Sequence, residues 1–153
     1  MTLKIKKTHP NAVIPSRGTP GSAALDLAAA LDSPVVIEPG KTETISTGIA
    51  VELPGCDTAA LVLSRSGLGM RNGVSLVNSV GLIDNDYRGA ISLCLINHSD
   101  KPFTVENGDR LAQLMVLSYM NLLPIEVEEL SDTRRGEGGF GSTGIKELNE
   151  ERG

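Results

Sequence analysis

The chain contains no tryptophan, and its 153 residues include only two phenylalanines and two tyrosines. A core must then be built from Val, Ile, Leu and Ala, and an aromatic in a polar, Gly-rich stretch has no ready explanation in packing. Cysteine is equally scarce. Cys56 and Cys94 form no Cys-x-x-Cys pair, so no disulfide framework is expected and a reducing compartment is the simpler assumption. Cys94 stands in an apolar run and is expected as a small buried hydrophobe. Positive charge is in deficit, the net charge being −5, which argues against general nucleic-acid binding but leaves room for a small anion held by local donors. No segment approaches the roughly 18 apolar residues of a membrane span. Met1-Thr2-Leu3-Lys4-Ile5-Lys6-Lys7 is basic with no apolar stretch behind it, unlike a signal peptide. A soluble, intracellular (cytoplasmic) protein is expected, with no membrane or nucleic-acid partner.

Short strands and turns fill the chain. Leu3 and Ile5 alternate with Lys4 and Lys6 as an opening half-buried strand, and Ile45, Thr47, Ile49, Val51 and Leu53 alternate with smaller or polar residues as one further strand. Further strands are expected over 35–37, 59–63, 74–77, 90–96, 102–105, 111–117 and 125–127. Turn signals separate several of them: Arg71-Asn72-Gly73, Asn97-His98-Ser99-Asp100 and Glu106-Asn107-Gly108-Asp109. The only helix expected is a turn or two over residues 66–71. Such a pattern predicts an all-β sandwich or jelly-roll-like domain over residues 1–130. Residues 131–153, with five glycines from Gly136 to Gly144, are expected as a flexible arm.

Five stretches are more polar or Gly-rich than a plain β domain needs. Pro20-Gly21-Ser22-Ala23-Ala24-Leu25-Asp26-Leu27 sets one carboxylate among apolar residues, either a metal-site acid or an outward-facing strand residue. Ser64-Arg65-Ser66-Gly67-Leu68-Gly69 offers a guanidinium, a hydroxyl and backbone amides at a strand end, either a phosphate-binding nest or a plain glycine turn. Residues 78–89 crowd Asn78, Asp84, Asp86 and Tyr87 around a hairpin. A carboxylate there can polarise a water as general base, and the amide of Asn78 can pair with donor and acceptor edges of a pyrimidine. The alternative is Asx-turn chemistry that merely satisfies local amides. Asn107-Gly108-Asp109-Arg110-Leu111-Ala112-Gln113-Leu114 turns into a strand whose Gln113 needs a partner, backbone or ligand. In Arg134-Arg135-Gly136-Glu137-Gly138-Gly139-Phe140-Gly141-Ser142-Thr143-Gly144, Phe140 has no apolar periodicity around it. A lid that stacks Phe140 on a bound base and sets Arg135 on a phosphate explains it.

These five segments, in this order, resemble the five signature motifs of the trimeric deoxyuridine 5′-triphosphate nucleotidohydrolase (dUTPase) family, over residues 3–144. Departures are Ala24 where Gly is common, Ser64 where Pro is usual, and Val77 where Gly is more frequent. The resemblance implies a distorted jelly roll of the β-clip type, assembled as a homotrimer whose active sites draw on three subunits. It implies Asp84 as the general base for in-line water attack on the α-phosphorus of dUTP, giving dUMP and pyrophosphate, which limits uracil incorporation into DNA and supplies dUMP for thymidylate synthesis. It implies Mg²⁺ as cofactor, with Asp26 holding waters of the ion. Arg65, Ser66, Gly67 and Gln113 match phosphate-binding positions, Asn78 the uracil reader and Tyr87 the residue under the deoxyribose. From the arm it implies Arg135, Ser142 and Thr143 on the γ-phosphate and Phe140 over the base. The rival on a related fold, a dCTP deaminase, needs a carboxylate in the strand after the hairpin, where residues 90–96 have none. A non-catalytic nucleotide sensor, the second rival, does not require an intact Asp84 or arm.

Overall fold

Alternating apolar residues set up short antiparallel strands along the whole of the first 118 residues. The computed structural model describes residues 1–139. In chain order the strands are β1 (Lys4–Lys7), β2 (Leu25–Ala28), β3 (Val35–Ile37), β4 (Thr42–Ser46), β5 (Ile49–Glu52), β6 (Thr58–Ser64), β7 (Val74–Leu76), β8 (Val80–Ile83), β9 (Ser92–Asn97), β10 (Phe103–Val105) and β11 (Arg110–Ser118). One helix, α1 (Ser66–Asn72), joins β6 to β7. It stops at Gly73, whose φ of 66° is the left-handed conformation that terminates helices, with its N–H donated to the carbonyl of Gly69.

The strands form a four-stranded sheet in the order β2-β11-β6-β8, a three-stranded sheet β4-β9-β7, and the pairs β1-β5 and β10-β3. Every pairing is antiparallel. Leu27, Ala60, Val62 and Leu114 from the larger sheet join Ile45, Val74, Leu93 and Leu95 from the smaller in one buried cluster. The architecture is an all-β, jelly-roll-type domain whose core is aliphatic, as the shortage of aromatics requires. Asn97, fully buried, ties three segments together. Its amide nitrogen donates to the carbonyls of Ile37 (2.8 Å) and Lys101 (2.7 Å), and its oxygen accepts from the backbone N–H of Ser99 (2.9 Å). On the surface, Lys4 lies opposite Glu52 in the β1-β5 register and contacts it at 2.6 Å. That hydrogen bond and the ammonium charge hold the Glu52 carboxyl below the ordinary carboxylate range.

The structure corrects three expectations. The alternation from Ile45 to Leu53 is two strands, broken at Gly48, whose φ is 64°. Cys94 is exposed, because in β9 it is Leu93, Leu95 and Asn97 that face inward. Ile125–Val127 is not a strand; Ile125 is 77% exposed and no ladder pairs with it among the described residues.

The chain divides into two compact units. The first, Met1–Asn121, contains every element named above. The second begins at Leu122. Within it, the N–H of Gly136 donates to Thr133 and that of Gly138 to Arg135, forming consecutive turns. Among the described residues no helix is long and apolar enough to cross a membrane.

Candidate active site

Asp26 sits in the middle of β2 with 8% of its surface exposed, so it is not an outward-facing strand residue. A buried carboxylate needs compensation, and three side chains provide it. Arg110 Nη1 lies 2.9 Å from Oδ2, Arg65 Nε 3.4 Å from Oδ1, and the Gln113 amide nitrogen 3.3 Å from Oδ1. Gln113 stands directly across the β11-β2 ladder from Asp26, and Arg65 follows the last residue of β6 on the other side of β11. Arg65 also donates to the carbonyl of Arg110 at 2.7 Å, which fixes one guanidinium against the next strand. Two guanidiniums against one carboxylate leave net positive charge, and Arg110 keeps 56% of its side chain exposed. The cluster is suited to a polyanion.

The sequence pattern does not mark Arg110 as a site residue, and the reason is geometric. Residues three apart on a regular strand face opposite sides of the sheet, so Arg110 and Gln113 do not read as partners. The register shifts between Arg110 and Ala112. Such a bulge re-aims the side chain beside it, and both residues reach Asp26. The turn Asn107-Gly108-Asp109 just before the strand is the sign of this irregularity in the sequence.

Ser66 and Gly67 open α1, are exposed, and follow Arg65 as the helix N-cap. No side chain caps the helix and no acid occupies its first turn, so the first amides have no side-chain acceptor and are free to meet an oxyanion.

Asn78, Asp84 and Tyr87 belong to the segment built around β8, with Asp84 and Tyr87 together beyond its far end. Asn78 and Asp84 flank that strand, at opposite ends. Ser79 adopts φ of 60°, and the N–H of Val80 turns back to the carbonyl of Asn78 at 2.6 Å. This tight turn aims the segment of Asn78 away from the ladder that follows, at the cost of placing a non-glycine residue in left-handed backbone. Beyond β8, the N–H of Tyr87 donates to the carbonyl of Asp84 (3.2 Å) and the Tyr87 hydroxyl to that of Ala90 (3.1 Å). Asn85 anchors the loop by donating to the carbonyl of Gly55 and the hydroxyl of Thr58, both at 2.9 Å. Among the described residues neither Asp84 nor Asp86 accepts a hydrogen bond through its carboxylate from a local amide, which removes the Asx-turn reading. Asp84 lines two adjoining depressions. One, of about 600 Å³, also has Cys56, Leu82 and Tyr119 on its wall, and the other, of about 270 Å³, has Tyr87 and Ser92.

Arg135, in the second unit, is exposed and donates to the carbonyl of Gly138 at 2.8 Å. Phe140, Ser142 and Thr143 lie outside the described residues.

No three His, Cys, Asp or Glu side chains converge among the described residues, so those residues build no metal cage. The donor set fits Mg²⁺ arriving on a triphosphate instead, since that ion keeps waters and takes one or two carboxylates alongside phosphate oxygens. Among the described residues Arg110 is the single donor to Asp26 Oδ2, which leaves a lone pair there.

Comparison with known proteins bears on the family and the fold. The chain is 50% identical over 131 residues to a deoxyuridine 5′-triphosphate nucleotidohydrolase of Glaesserella parasuis serovar 5, covering 86% of this chain and 87% of that one. It is 45% identical over 146 residues to the protein of the same name from a Hydrogenobaculum species, covering 95% of this chain and all of the other. The fold superposes on the G164S mutant of Staphylococcus bacteriophage 80alpha dUTPase, solved with dUpNHpp, with a TM-score of 0.86 and 28% identity over 94% of this chain and 99% of that one. The sequence model of the dUTPase family matches residues 10–144, nearly all of the β unit and much of the arm, and the chain therefore belongs to the dUTPase family of hydrolases.

Proposed function

We propose that this chain hydrolyses dUTP to dUMP and pyrophosphate, as a soluble cytoplasmic enzyme that limits uracil incorporation into DNA and supplies dUMP. The observation that carries the reading is the unengaged carboxylate of Asp84, held at a strand end beside Tyr87 and open to solvent. Asp84 orients a water in line with the α-phosphorus and takes its proton as the P–O bond to the pyrophosphate breaks. Arg65, Arg110, Gln113 and the opening amides of α1 receive the triphosphate and oppose the charge that grows on the departing pyrophosphate. Mg²⁺, when bound, neutralises phosphate charge and activates the leaving group, and Asp26 is the residue that would hold its waters. Asn78 pairs with the uracil edge, and the ring of Tyr87 occupies the space that a ribose 2′-hydroxyl would need. Residues 131–153 act as a lid, bringing Arg135, Ser142 and Thr143 to the γ-phosphate and Phe140 over the base.

The assembly proposed, from the family resemblance, is a homotrimer with shared sites, and the strand register supports the sharing of sites between copies. Ala60 pairs with Ile83 and Leu63 with Val80, so Asp84 and Arg65 lie beyond opposite ends of the β6-β8 ladder. At about 3.3 Å per residue they stand roughly 20 Å apart along it. Arg65 is also directed toward β11, on the far side of β6 from β8. A base within hydrogen-bond reach of the water that attacks the α-phosphorus and a guanidinium on the adjoining phosphates would then come from different copies.

The test is pyrophosphate release with Mg²⁺ from dUTP, dCTP, dTTP and UTP at equal concentration. Release from dUTP alone is expected. Formation of dUTP from dCTP would make the chain a deaminase, and release from none of the four would leave a nucleotide sensor.

A further inference from the structure

Tyr87 is 44% exposed, so apolar packing does not hold its ring. Its hydroxyl is bound to the carbonyl of Ala90 at 3.1 Å, and to reach it the ring crosses residue 89. A Cβ built on Gly89 would overlap the Tyr87 hydroxyl, lying 2.5 Å from Cζ and 3.0 Å from Cε2. Gly89 is not one of the glycines with positive φ, so its backbone would accept an L residue, and the three atoms nearest to a Cβ there all belong to the Tyr87 side chain. Gly40, Gly55 and Gly108 are the opposite case, with left-handed backbone and nothing within 4 Å of a Cβ. The flanking backbone has little freedom to give way. Ile91 N–H is bonded to the carbonyl of Ile49 at 2.8 Å, and Arg88 Nη1 donates to the carbonyls of Asn85 and Tyr87 at 2.6 and 3.0 Å. A methyl group at 89 is relieved at least cost by the tyrosine itself, whose ring swings off and releases Ala90.

We infer that Gly89 is a positioning residue for sugar selectivity: its missing side chain is what lets Tyr87 lie across it, hydroxyl on Ala90, in the orientation that excludes a 2′-hydroxyl. This rests on the reading of Tyr87 as the residue beneath the deoxyribose.

The experiment compares kcat/KM for dUTP and UTP in Gly89→Ala, Tyr87→Ala and the double variant. Each single substitution is expected to lower the dUTP-to-UTP ratio by on the order of tenfold, and the double variant to be no less selective than Tyr87→Ala alone, because one residue acts through the other. If Tyr87→Ala lowers the ratio and Gly89→Ala does not, the inference is overturned while the reading of Tyr87 stands. If neither changes it, that reading fails and takes the selectivity claim with it. A second measurement follows the ring without reference to substrate. In a Tyr119→Phe background Tyr87 is the sole tyrosine of a chain without tryptophan, and its near-ultraviolet circular dichroism is expected to weaken on Gly89→Ala; an unchanged band overturns the inference. Should Gly89→Ala fail to fold, adding Tyr87→Ala removes the overlap and is expected to restore folding, and a double variant that also fails overturns it.

Discussion

Asp26 and Asp84 carry the same functional group in opposite surroundings. Asp26 is buried and holds three donors, so its charge is committed to the structure and to the cations around it. Asp84 is exposed and its carboxylate is free for a water. An isosteric Asp84→Asn change therefore removes proton acceptance without disturbing a local hydrogen bond. Turnover is expected to fall by about 10²–10⁴, the usual worth of general base catalysis, while the dissociation constant of a non-hydrolysable dUTP analogue stays within a few-fold of the parent value. Single-turnover kinetics together with calorimetric titration measure the two effects separately. Normal kcat in this variant would remove Asp84 as the base.

At the level of elements, glycines show which turns are set by space and which by backbone alone. Gly48 separates β4 from β5 at φ of 64°, and a Cβ there would lie 2.7 Å from the Cβ atoms of both Ala30 and His9. Gly40 has a similar φ of 68° with nothing near it. Gly40→Ala is thus expected to cost about 1 kcal/mol for the left-handed conformation, and Gly48→Ala about 2–4 kcal/mol once overpacking is added. Chemical denaturation of the two variants checks the difference, and equal losses would mean that the junction relaxes freely. Gly48 also shows why the sequence discloses burial better than element ends. Period-2 alternation identified Ile45, Thr47, Ile49, Val51 and Leu53 as one inward set, and all five are buried, yet the chain changes sheets among them. Alternation records which side faces the core and does not record which neighbour supplies the hydrogen bonds. For Cys94 the apolar context suggested burial, but phase within β9 decides it, and the inward phase belongs to Leu93 and Leu95. In Ile125–Val127 apolar content is present without a partner strand among the described residues of the chain, and apolar content alone does not make a ladder.

At the scale of the whole molecule, the five candidate segments stand out in the sequence because their residue types are poorly explained by packing. The sequence could not disclose distances, since those depend on register, on the bulge that turns Arg110 toward Asp26, and on how copies meet. The arm can be tested by removal. A chain ending at Arg134 lacks Arg135, Phe140, Ser142 and Thr143 but keeps the whole of the β unit, so its melting temperature and solution size are expected to match the full chain while turnover drops strongly; full activity would dismiss the lid. Shared sites make a more demanding prediction. Asp84→Asn and Arg65→Ala chains are each expected to be inactive alone, since each lacks one necessary group at every site. Unfolded together in equal amounts and refolded, they form mixed assemblies. If Asp84 and Arg65 of one site come from different copies, about a quarter of the sites receive both intact groups by random mixing, and about that fraction of parental activity returns. If both came from one chain, no mixed site would be whole and activity would stay absent. The roughly 20 Å of strand between the two residues favours recovery, because no nucleotide-bound rearrangement of a hydrogen-bonded β6-β8 ladder brings its opposite ends together.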